Sequence, residues 1–297
     1  MDIRTELQEL MQKKNYSLKD VAIATGAAKS TINMWINKTY NGDNSNITDK
    51  INNFIQREKE RCIDELPIVE TSIVKYIAEI GRLCHTKGRI GVCAGKAGIG
   101  KTVAVKEYLK NYIDAILIES DSGYTAKSLL LEIHKRLSLS AKGSVYDLMG
   151  EVVNKLNQSG RLLIIDEAEN LPYRALEITR RIHDKTGIGI LLVGRNILFK
   201  NLLGFNDEYE QLFSRVKYHK ALDKLLLQDV DKILEAMGQD SEMAETYLFY
   251  SEGNTRRLEH LITHSINIAK MNGKEKVDTE VIKQTSKMLM DRSSCDV

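Results

Sequence analysis

The apolar positions of this 297-residue chain follow two periods, and the change between them divides the chain into three parts. Near both ends, apolar side chains recur at three- and four-residue spacing, which predicts amphipathic helices. In the middle, short apolar runs alternate with helical patterns, which predicts buried parallel strands joined by helices. We therefore predict an α/β fold with a parallel, doubly wound sheet between two helical regions. The predicted domains are 1–62, 63–220 and 221–297.

Four apolar runs are the predicted strands of this sheet, at 90–94, 115–119, 162–165 and 188–194. The helices predicted between and after them cover 102–109, 124–137, 145–156 and 173–185. From residue 221 onward the pattern is helical, and we interpret this last part as a lid. Its four predicted helices cover 229–237, 241–250, 254–271 and 278–290.

The composition is that of an ordinary globular protein, with 42% hydrophobic and 28% charged residues. No run reaches the roughly 18 apolar residues of a membrane helix, and the polar N-terminus lacks the apolar core of a signal peptide. The four cysteines lack metal-ligand spacing, which favours a reducing cytoplasm. The net charge of +2 conceals a basic excess within 67–220, which fits phosphate or nucleic-acid binding.

A glycine-rich segment follows the first predicted strand and opens the next predicted helix. It fits the pattern G-x-x-x-x-G-K-[ST] and consists of Gly95, Lys96, Ala97, Gly98, Ile99, Gly100, Lys101 and Thr102. Backbone N–H groups and the positive end of a helix dipole make such a loop a cradle for phosphates. In this pattern Lys101 reaches the β- and γ-phosphates and Thr102 holds Mg²⁺, so we predict ATP and Mg²⁺ as cofactors.

Two carboxylates follow the third predicted strand. Asp166 and Glu167 end a run of four apolar residues, which is the Walker B pattern. A buried strand ending there carries Asp166 to the side of Thr102, where it serves the Mg²⁺ shell. Glu167 then orients and deprotonates the attacking water. We interpret Glu169 as structural or solvated. The pattern predicts ATP hydrolysis, with Lys101, Asp166 and Glu167 as catalytic residues.

The segment 17–37 has the pattern of a helix-turn-helix. Ser17 is a predicted helix cap and Gly26 permits the tight turn. The second helix has a predicted buried face made of Ile32, Trp35 and Ile36. Such a helix enters the major groove of DNA through its N-terminal residues. The candidate DNA contacts there are Lys29, Ser30, Thr31 and Asn33. A small helical bundle without DNA contact is the alternative, and residues 58–61 are a predicted solvated helix end.

Residues beyond the Walker B strand resemble motifs of the AAA+ ATPases. The segment 253–256 is similar to the sensor 2 motif, which implies that Arg256 contacts the γ-phosphate, with Arg257 as the alternative. The segment 212–216 is similar to the one that carries the arginine finger, which implies that Arg215 completes a neighbouring subunit's site. A surface arginine in a salt bridge is the alternative. Sensor 1 follows the fourth strand in this family, which implies Asn196 as a further nucleotide-binding residue.

The order of the parts narrows the resemblance. A helix-turn-helix unit, an AAA+ core and a short helical lid, together with the segment 180–194, resemble the MuB-like target-selection ATPases of phage Mu type and related transposon helper ATPases. The resemblance implies a homo-oligomeric helical filament on double-stranded DNA, with little sequence preference and with ATP between subunits. It also implies a cognate transposase as partner, slow hydrolysis stimulated by DNA or transposase, and a place on the nucleoid in the bacterial cytoplasm.

Further DNA contacts are expected on polar residues just after the second predicted strand. The first candidates are Tyr124, Thr125 and Lys127, and a solvated face is the alternative. Further candidates on nearby helices and loops are Lys142, Lys155 and Arg161. Two other functions stay open. A nucleotide-switched transcription regulator reads a palindromic operator through its helix-turn-helix, and a helicase-loader-like AAA+ protein acts through its own assembly.

Overall fold

The structure is a computed structural model that describes residues 2–63, 67–140, 142–204, 209–274 and 276–289, and for residues 59–63 only the helical backbone. The chain divides into two compact units, residues 1–66 and 67–297. The predicted core and lid therefore lie within one unit, and the division between them at residue 220 stays a prediction.

The first unit is a group of helices around a small apolar core. Its helices are α1 (Ile3–Lys14), α2 (Leu18–Thr25), α3 (Lys29–Ile36) and α4 (Asn44–Ile63). Helical periodicity places Leu7, Val21, Ile32 and Trp35 inward, where each is at most 1% exposed. Trp35 donates its ring N–H to Thr48 Oγ1 over 3.1 Å, so its buried polar group has a partner.

A short turn joins α2 and α3. Ser17 and Asp20 form a reciprocal capping box at the start of α2. Gly26 ends this helix at φ 65°, in the left-handed region that glycine adopts without steric cost. Local chemistry thus fixes both ends of α2, and α3 begins directly after the turn.

Glu58 corrects one expectation, because it is not part of a solvated helix end. Its side chain is 3% exposed and accepts a hydrogen bond from Tyr16 Oη over 2.8 Å. The helix α4 continues to Ile63 and packs against α1, so tertiary contact decides the burial of this carboxylate.

The second unit is built on a five-stranded sheet. Its strands are β1 (Ile90–Gly95), β2 (Ile116–Glu119), β3 (Leu162–Asp166), β4 (Gly189–Gly194) and β5 (Val216–Leu222). The helices around it are α5 (Ser72–Lys87), α6 (Lys101–Asn111), α7 (Ala126–Arg136), α8 (Val145–Leu156), α9 (Tyr173–Thr186), α10 (Ile197–Leu203) and α11 (Glu210–Phe213). Strands β1, β3 and β4 are buried at every position, which explains why they are uninterrupted apolar runs.

The strand order is β2-β3-β4-β1-β5, and all the pairings are parallel. The prediction of an α/β fold with a parallel sheet is therefore confirmed. In a parallel sheet the carboxyl ends of all strands lie at one edge, which is where ligands bind. The loop after β1 and the acidic end of β3 thus meet at the same edge, with the end of β4 between them.

The strand β5 and the helix α5 have no counterpart among the predicted elements. Among the described residues, β5 pairs only with β1 at the edge of the sheet, and its side chains are partly exposed along most of its length. Edge strands of this kind lack the uninterrupted apolar run of a central parallel strand. The helical pattern therefore begins after residue 222, and not at 221 as predicted.

The chain continues with α12 (Leu227–Ala236), α13 (Ala244–Ser251), α14 (Thr255–Met271) and α15 (Thr279–Met288). The predicted end of the last helix at residue 290 lies outside the described residues. Asp229 ties α12 to the start of α5, because its carboxylate accepts hydrogen bonds from Ser72 N over 2.6 Å and from Ser72 Oγ over 2.5 Å. Among the described residues, no helix has the length and apolar character needed to cross a membrane.

Candidate functional site

The loop between β1 and α6 has the backbone shape that its glycines predict. Gly98 and Gly100 lie at φ +77° and +95°, in the region that favours glycine. A side-chain carbon at Gly98 would also meet the side-chain amide of Asn254 at 2.6 Å. The helix α6 starts at Lys101, directly after Gly100. The loop therefore ends in a helix N-terminus, whose N–H groups lack helical partners and attract anions.

A cavity of about 400 Å³ lies at this loop and collects charged groups from four parts of the chain. Its lining includes Lys101, Thr102, Asp166, Glu167, Arg195 and Arg256. Ala97, Gly98 and Gly100 of the predicted loop also line it. Lys96 and Ile99 line a neighbouring cavity, and Gly95 is buried.

Lys101 lies against the loop backbone. Its Nζ donates hydrogen bonds to the carbonyl oxygens of Gly95 over 3.0 Å and of Lys96 over 2.8 Å. Burial lowers the pKa of Lys101, and the nearby carboxylates of Glu169 and Asp166 act in the opposite direction. The ammonium group is thus a partly desolvated cation at the loop, which is the condition for strong attraction to a phosphate.

Thr102 and Asp166 meet as the sequence predicts. Thr102 Oγ1 donates to Asp166 Oδ2 over 2.6 Å, and Asp166 is 2% exposed at the end of β3. A hydroxyl and a carboxylate are hard oxygen ligands of the kind that Mg²⁺ takes alongside substrate phosphates. Within the described residues, no cluster of three or more His, Cys, Asp or Glu side chains is arranged to hold a metal. These two side chains are therefore the pair that fits a nucleotide-bound Mg²⁺.

Two further glutamates line the same cavity and differ in their environments. Glu167 follows Asp166 and accepts a hydrogen bond from Asn170 Nδ2 over 3.1 Å. The side chain of Glu169 is only 4% exposed, so it is structural and not solvated. Its carboxylate binds Arg195, accepting from the backbone N over 3.0 Å and from Nε over 2.8 Å.

The start of α14 contacts the glycine-rich loop. Asn254 caps this helix by accepting from Arg257 N, and its amide Nδ2 donates to the carbonyl oxygen of Ala97 over 3.0 Å. The backbone N of Arg256 donates to the carbonyl oxygen of Gly98 over 3.1 Å. These contacts bring Arg256 to the cavity that Asp166 also lines.

Asn196 does not line this cavity, and its interpretation as a nucleotide-binding residue stays a prediction. It lines the neighbouring cavity, with Lys96 and Ile99. The residue that the end of β4 places beside Lys101 is Arg195, which the sequence reasoning missed. Its position directly after the strand was the available signal, since ligand groups gather at the carboxyl ends of parallel strands.

Arg215 does not line the nucleotide cavity of its own chain. It precedes β5, is half exposed, and its Nε donates to Asp184 Oδ1 over 3.1 Å. Asp184 also pairs with Arg180, which in turn binds Glu177. Within one chain, Arg215 therefore forms a surface salt bridge with the last residue of a charged row on α9. This agrees with the alternative interpretation of Arg215 as a surface arginine in a salt bridge.

The candidate DNA-contacting residues fall in both units. On α3, Lys29, Ser30 and Asn33 are exposed and Thr31 is half-buried. At the start of α7, Lys127 is exposed, whereas Tyr124 packs partly against the apolar core and Thr125 forms the capping box of the helix with Ser128. The exposed side chains are available for contact with phosphates, while those of Tyr124 and Thr125 also serve the local fold.

Comparison with known proteins places these features in a family. Residues 84–202 match the model of a family described as AAA domain. The chain is 30% identical over 299 residues to the ATP-dependent target DNA activator B of Escherichia phage Mu, covering 97% of this chain and 95% of that protein. The Mu-like prophage FluMu DNA transposition protein B of Haemophilus influenzae is 25% identical, over 82% of this chain and 87% of that protein.

A solved structure shares the fold at lower sequence similarity. The ORC2 protein of Aeropyrum pernix, solved as ADPNP–ADP complexes, superposes with a TM-score of 0.60 and 16% identity, covering 80% of this chain and 74% of that chain. The fold is thus the α/β fold of the AAA+ P-loop ATPases, and the loop at β1 lies within the matched residues. Because the similarity to activator B spans nearly the whole of both chains, this protein belongs to the MuB-like family of AAA+ ATPases.

Proposed function

We propose that this protein is an ATP-dependent DNA-binding ATPase that assembles on duplex DNA, selects target DNA for transposition and activates a cognate transposase. The observation that carries the proposal is the end-to-end similarity to a protein named ATP-dependent target DNA activator B. The similarity includes both compact units and is not confined to the ATPase module. A bacterial cytoplasm, on the nucleoid, is the location that fits this role.

The nucleotide chemistry follows from the side chains around the cavity. Lys101 and Arg256 line the cavity and would contact the β- and γ-phosphates, while Thr102 and Asp166 would hold Mg²⁺. When bound, Mg²⁺ supplies charge neutralisation on the phosphates. Glu167 orients a water molecule and accepts its proton as the water attacks the γ-phosphorus. The buried carboxylate of Glu169 keeps the guanidinium of Arg195 at the cavity wall, as a further cation facing the phosphates.

The first unit supports DNA contact through α2 and α3 as a helix-turn-helix. The exposed polar residues at the start of α3 lie where such motifs contact phosphates and base edges. Residues 1–66 carry as many acidic as basic side chains, so this unit alone has little electrostatic affinity for DNA. Most of the affinity then comes from many subunits acting together, with Lys127 and other basic residues of the second unit contacting phosphates.

Assembly places the nucleotide between subunits in this proposal. Head-to-tail contacts that do not close into a ring generate helical filaments. Arg215 is half exposed and does not line the nucleotide cavity of its own subunit. In the assembly it leaves its ion pair with Asp184 and contacts the γ-phosphate bound by a neighbouring subunit. The helices after β5 act as a lid, because α14 begins on the glycine-rich loop. DNA or transposase stimulates a slow intrinsic hydrolysis by completing this arrangement.

A sequence-specific transcription regulator is the second candidate, and the exposed polar start of α3 favours it. The two functions differ in what ATP does. In a regulator, the first unit binds one palindromic site, and ATP changes that binding. In the proposed function, ATP is required for coating any duplex.

Electron microscopy with a random-sequence duplex and ATP distinguishes the two. We expect filaments from the wild type and none from Lys101→Ala, because the nucleotide links the subunits. Lys106→Ala is the matched control, since Lys106 lies on the same helix but pairs with Glu119 on the protein surface. Absence of wild-type filaments, together with a nuclease footprint on a single palindrome, favours the regulator and contradicts the proposed function.

A further inference from the structure

Glu167 has an unusual backbone conformation for the residue proposed as the general base. It lies at φ 53° and ψ 33°, in the left-handed region, although it is not glycine. Side chains with a Cβ atom adopt this region rarely, because Cβ approaches the following carbonyl oxygen. Such conformations persist only where surrounding contacts hold them, and they cluster at active sites. The contacts that hold Glu167 therefore bear on catalysis.

The first holding contact comes from Ser120, which directly follows β2. The hydroxyl of Ser120 donates to the carbonyl oxygens of Asp166 over 3.1 Å and of Glu167 over 2.9 Å. Its backbone N also donates to Asp166 O over 3.0 Å. Strands β2 and β3 pair up to Glu119 and Asp166, so Ser120 extends their pairing by one position, to the left-handed residue. Ser120 is 3% exposed and does not line the cavity.

The second holding contact comes from Asn170, at the end of the 3₁₀ turn Ala168–Asn170 that follows Glu167. Its backbone N donates to Glu167 O over 2.9 Å. Its side-chain Nδ2 donates to Glu167 Oε2 over 3.1 Å and reaches Ser120 O at 3.5 Å. One amide group thus joins the catalytic carboxylate to the end of the neighbouring strand.

We propose that Ser120 and Asn170 are positioning residues for ATP hydrolysis, which fix the backbone and the carboxylate of Glu167 toward the γ-phosphate. The proposal rests on the proposed function, in which Glu167 is the general base. Ser120 holds the left-handed turn that directs the Glu167 side chain into the cavity. Asn170 binds Oε2 and leaves Oε1 to accept the proton of the attacking water. As that proton moves to Glu167, the water oxygen bonds to the γ-phosphorus, and the bond to the β–γ bridging oxygen breaks.

Steady-state ATP hydrolysis in the presence of duplex DNA tests the proposal. We expect Ser120→Ala and Asn170→Ala to lower kcat about 10- to 100-fold, because a displaced base loses its alignment with the water. The KM for ATP should stay within about twofold in Ser120→Ala, because Ser120 does not line the cavity. Ser120→Thr retains the hydroxyl and should recover most of the wild-type kcat.

Asn201→Ala is the matched control. Asn201 Nδ2 donates to the carbonyl oxygen of Glu169 over 3.0 Å, so its removal costs one amide hydrogen bond on the same turn without touching Glu167. We expect a kcat close to that of the wild type. An equal loss of kcat in Asn201→Ala and Asn170→Ala means that general rigidity of the turn matters, and it overturns the proposal.

The outcome also separates this inference from the proposed function. If Glu167→Gln hydrolyses ATP at the wild-type rate, Glu167 is not the base and the underlying mechanism fails. If Glu167→Gln is inactive while Ser120→Ala and Asn170→Ala keep the wild-type kcat, only the positioning role fails. A failure of Ser120→Thr to recover kcat, with a parallel rise in KM, also contradicts positioning.

Discussion

The side-chain amide of Asn254 donates a hydrogen bond to the carbonyl oxygen of Ala97 over 3.0 Å, and it thereby joins the C-terminal helices to the phosphate-binding loop. The neighbouring bond from Arg256 N to Gly98 O strengthens this connection. In the proposed function this loop receives the nucleotide, so we expect these two bonds to couple the orientation of α14 to nucleotide binding.

Asn254→Ala should both destabilise the protein and weaken ATP binding, and the loss of the helix cap alone does not account for the weaker binding. Loss of the N-cap destabilises the protein by about 1 kcal/mol. Loss of the bond to Ala97 frees the loop and raises the Kd for ATP by about fivefold, which corresponds to one hydrogen bond. Asp278→Ala is the control, since Asp278 caps α15 in the same way and lies away from the loop. Urea unfolding and nucleotide titration measure both effects, and equal ATP affinities in the two variants contradict the link.

Gly98→Ala should abolish tight ATP binding. The new methyl group meets the Asn254 amide at 2.6 Å, and φ of +77° is strained for alanine. Gly238→Ala is the control for strain alone, because Gly238 has φ +65° with nothing within 4 Å of the added carbon. We expect both variants to lose about 1 kcal/mol of unfolding free energy. Only Gly98→Ala should lose nucleotide binding, as measured by calorimetric titration.

Thr102→Val should remove hydrolysis while keeping the fold. The substitution preserves the side-chain shape but leaves Asp166 Oδ2 without its hydroxyl donor, which costs about 1–3 kcal/mol of unfolding free energy. Thr102→Ser keeps the donor and should retain stability and most of the activity. The measurement is ATP hydrolysis as a function of Mg²⁺ concentration. Unchanged Mg²⁺ dependence in Thr102→Val means that this hydroxyl does not serve the metal.

Glu177 should make the protein sensitive to acid. Its hydrogen bonds from Arg180, with further help from Arg181, lower the pKa of Glu177 from 4.5 to about 2. A carboxylate with a lowered pKa contributes stability above its unfolded-state pKa and loses it as pH falls. The difference in unfolding free energy between wild type and Glu177→Gln should therefore be largest above pH 4.5 and shrink toward pH 2. A difference that is constant across this range excludes the ion pairs as its source.

The central strands and the nucleotide loop were predictable because local sequence determines them. Buried parallel strands are uninterrupted apolar runs, and the loop motif combines glycines with Lys101 and Thr102 at fixed spacing. The strand β5 was missed because it lies at the sheet edge and alternates between half-buried and exposed positions up to its last residue, which is buried. Its pairing with β1 is a long-range contact, and no local sequence pattern predicts it.

The surroundings of the site were less predictable than the motif residues. Ser120 contacts Glu167 only because β2 pairs with β3, and no spacing in the sequence indicates that contact. Arg195 enters the cavity because its backbone N and its side chain both bind the buried carboxylate of Glu169. Interpretation by motif position favoured Asn196, one residue later, which lies in the neighbouring cavity.

Retention of random-sequence DNA in the presence of ATP tests the central claim most directly, namely that the nucleotide site controls assembly on DNA. Fluorescence anisotropy of a labelled duplex, at fixed salt, is measured for wild type, Lys101→Ala and Glu167→Gln, before and after dilution into excess unlabelled duplex. We predict that Glu167→Gln binds DNA and then releases it more slowly than the wild type, because it keeps ATP between subunits. We predict that Lys101→Ala does not bind DNA stably. DNA binding by Lys101→Ala equal to that of the wild type contradicts the account.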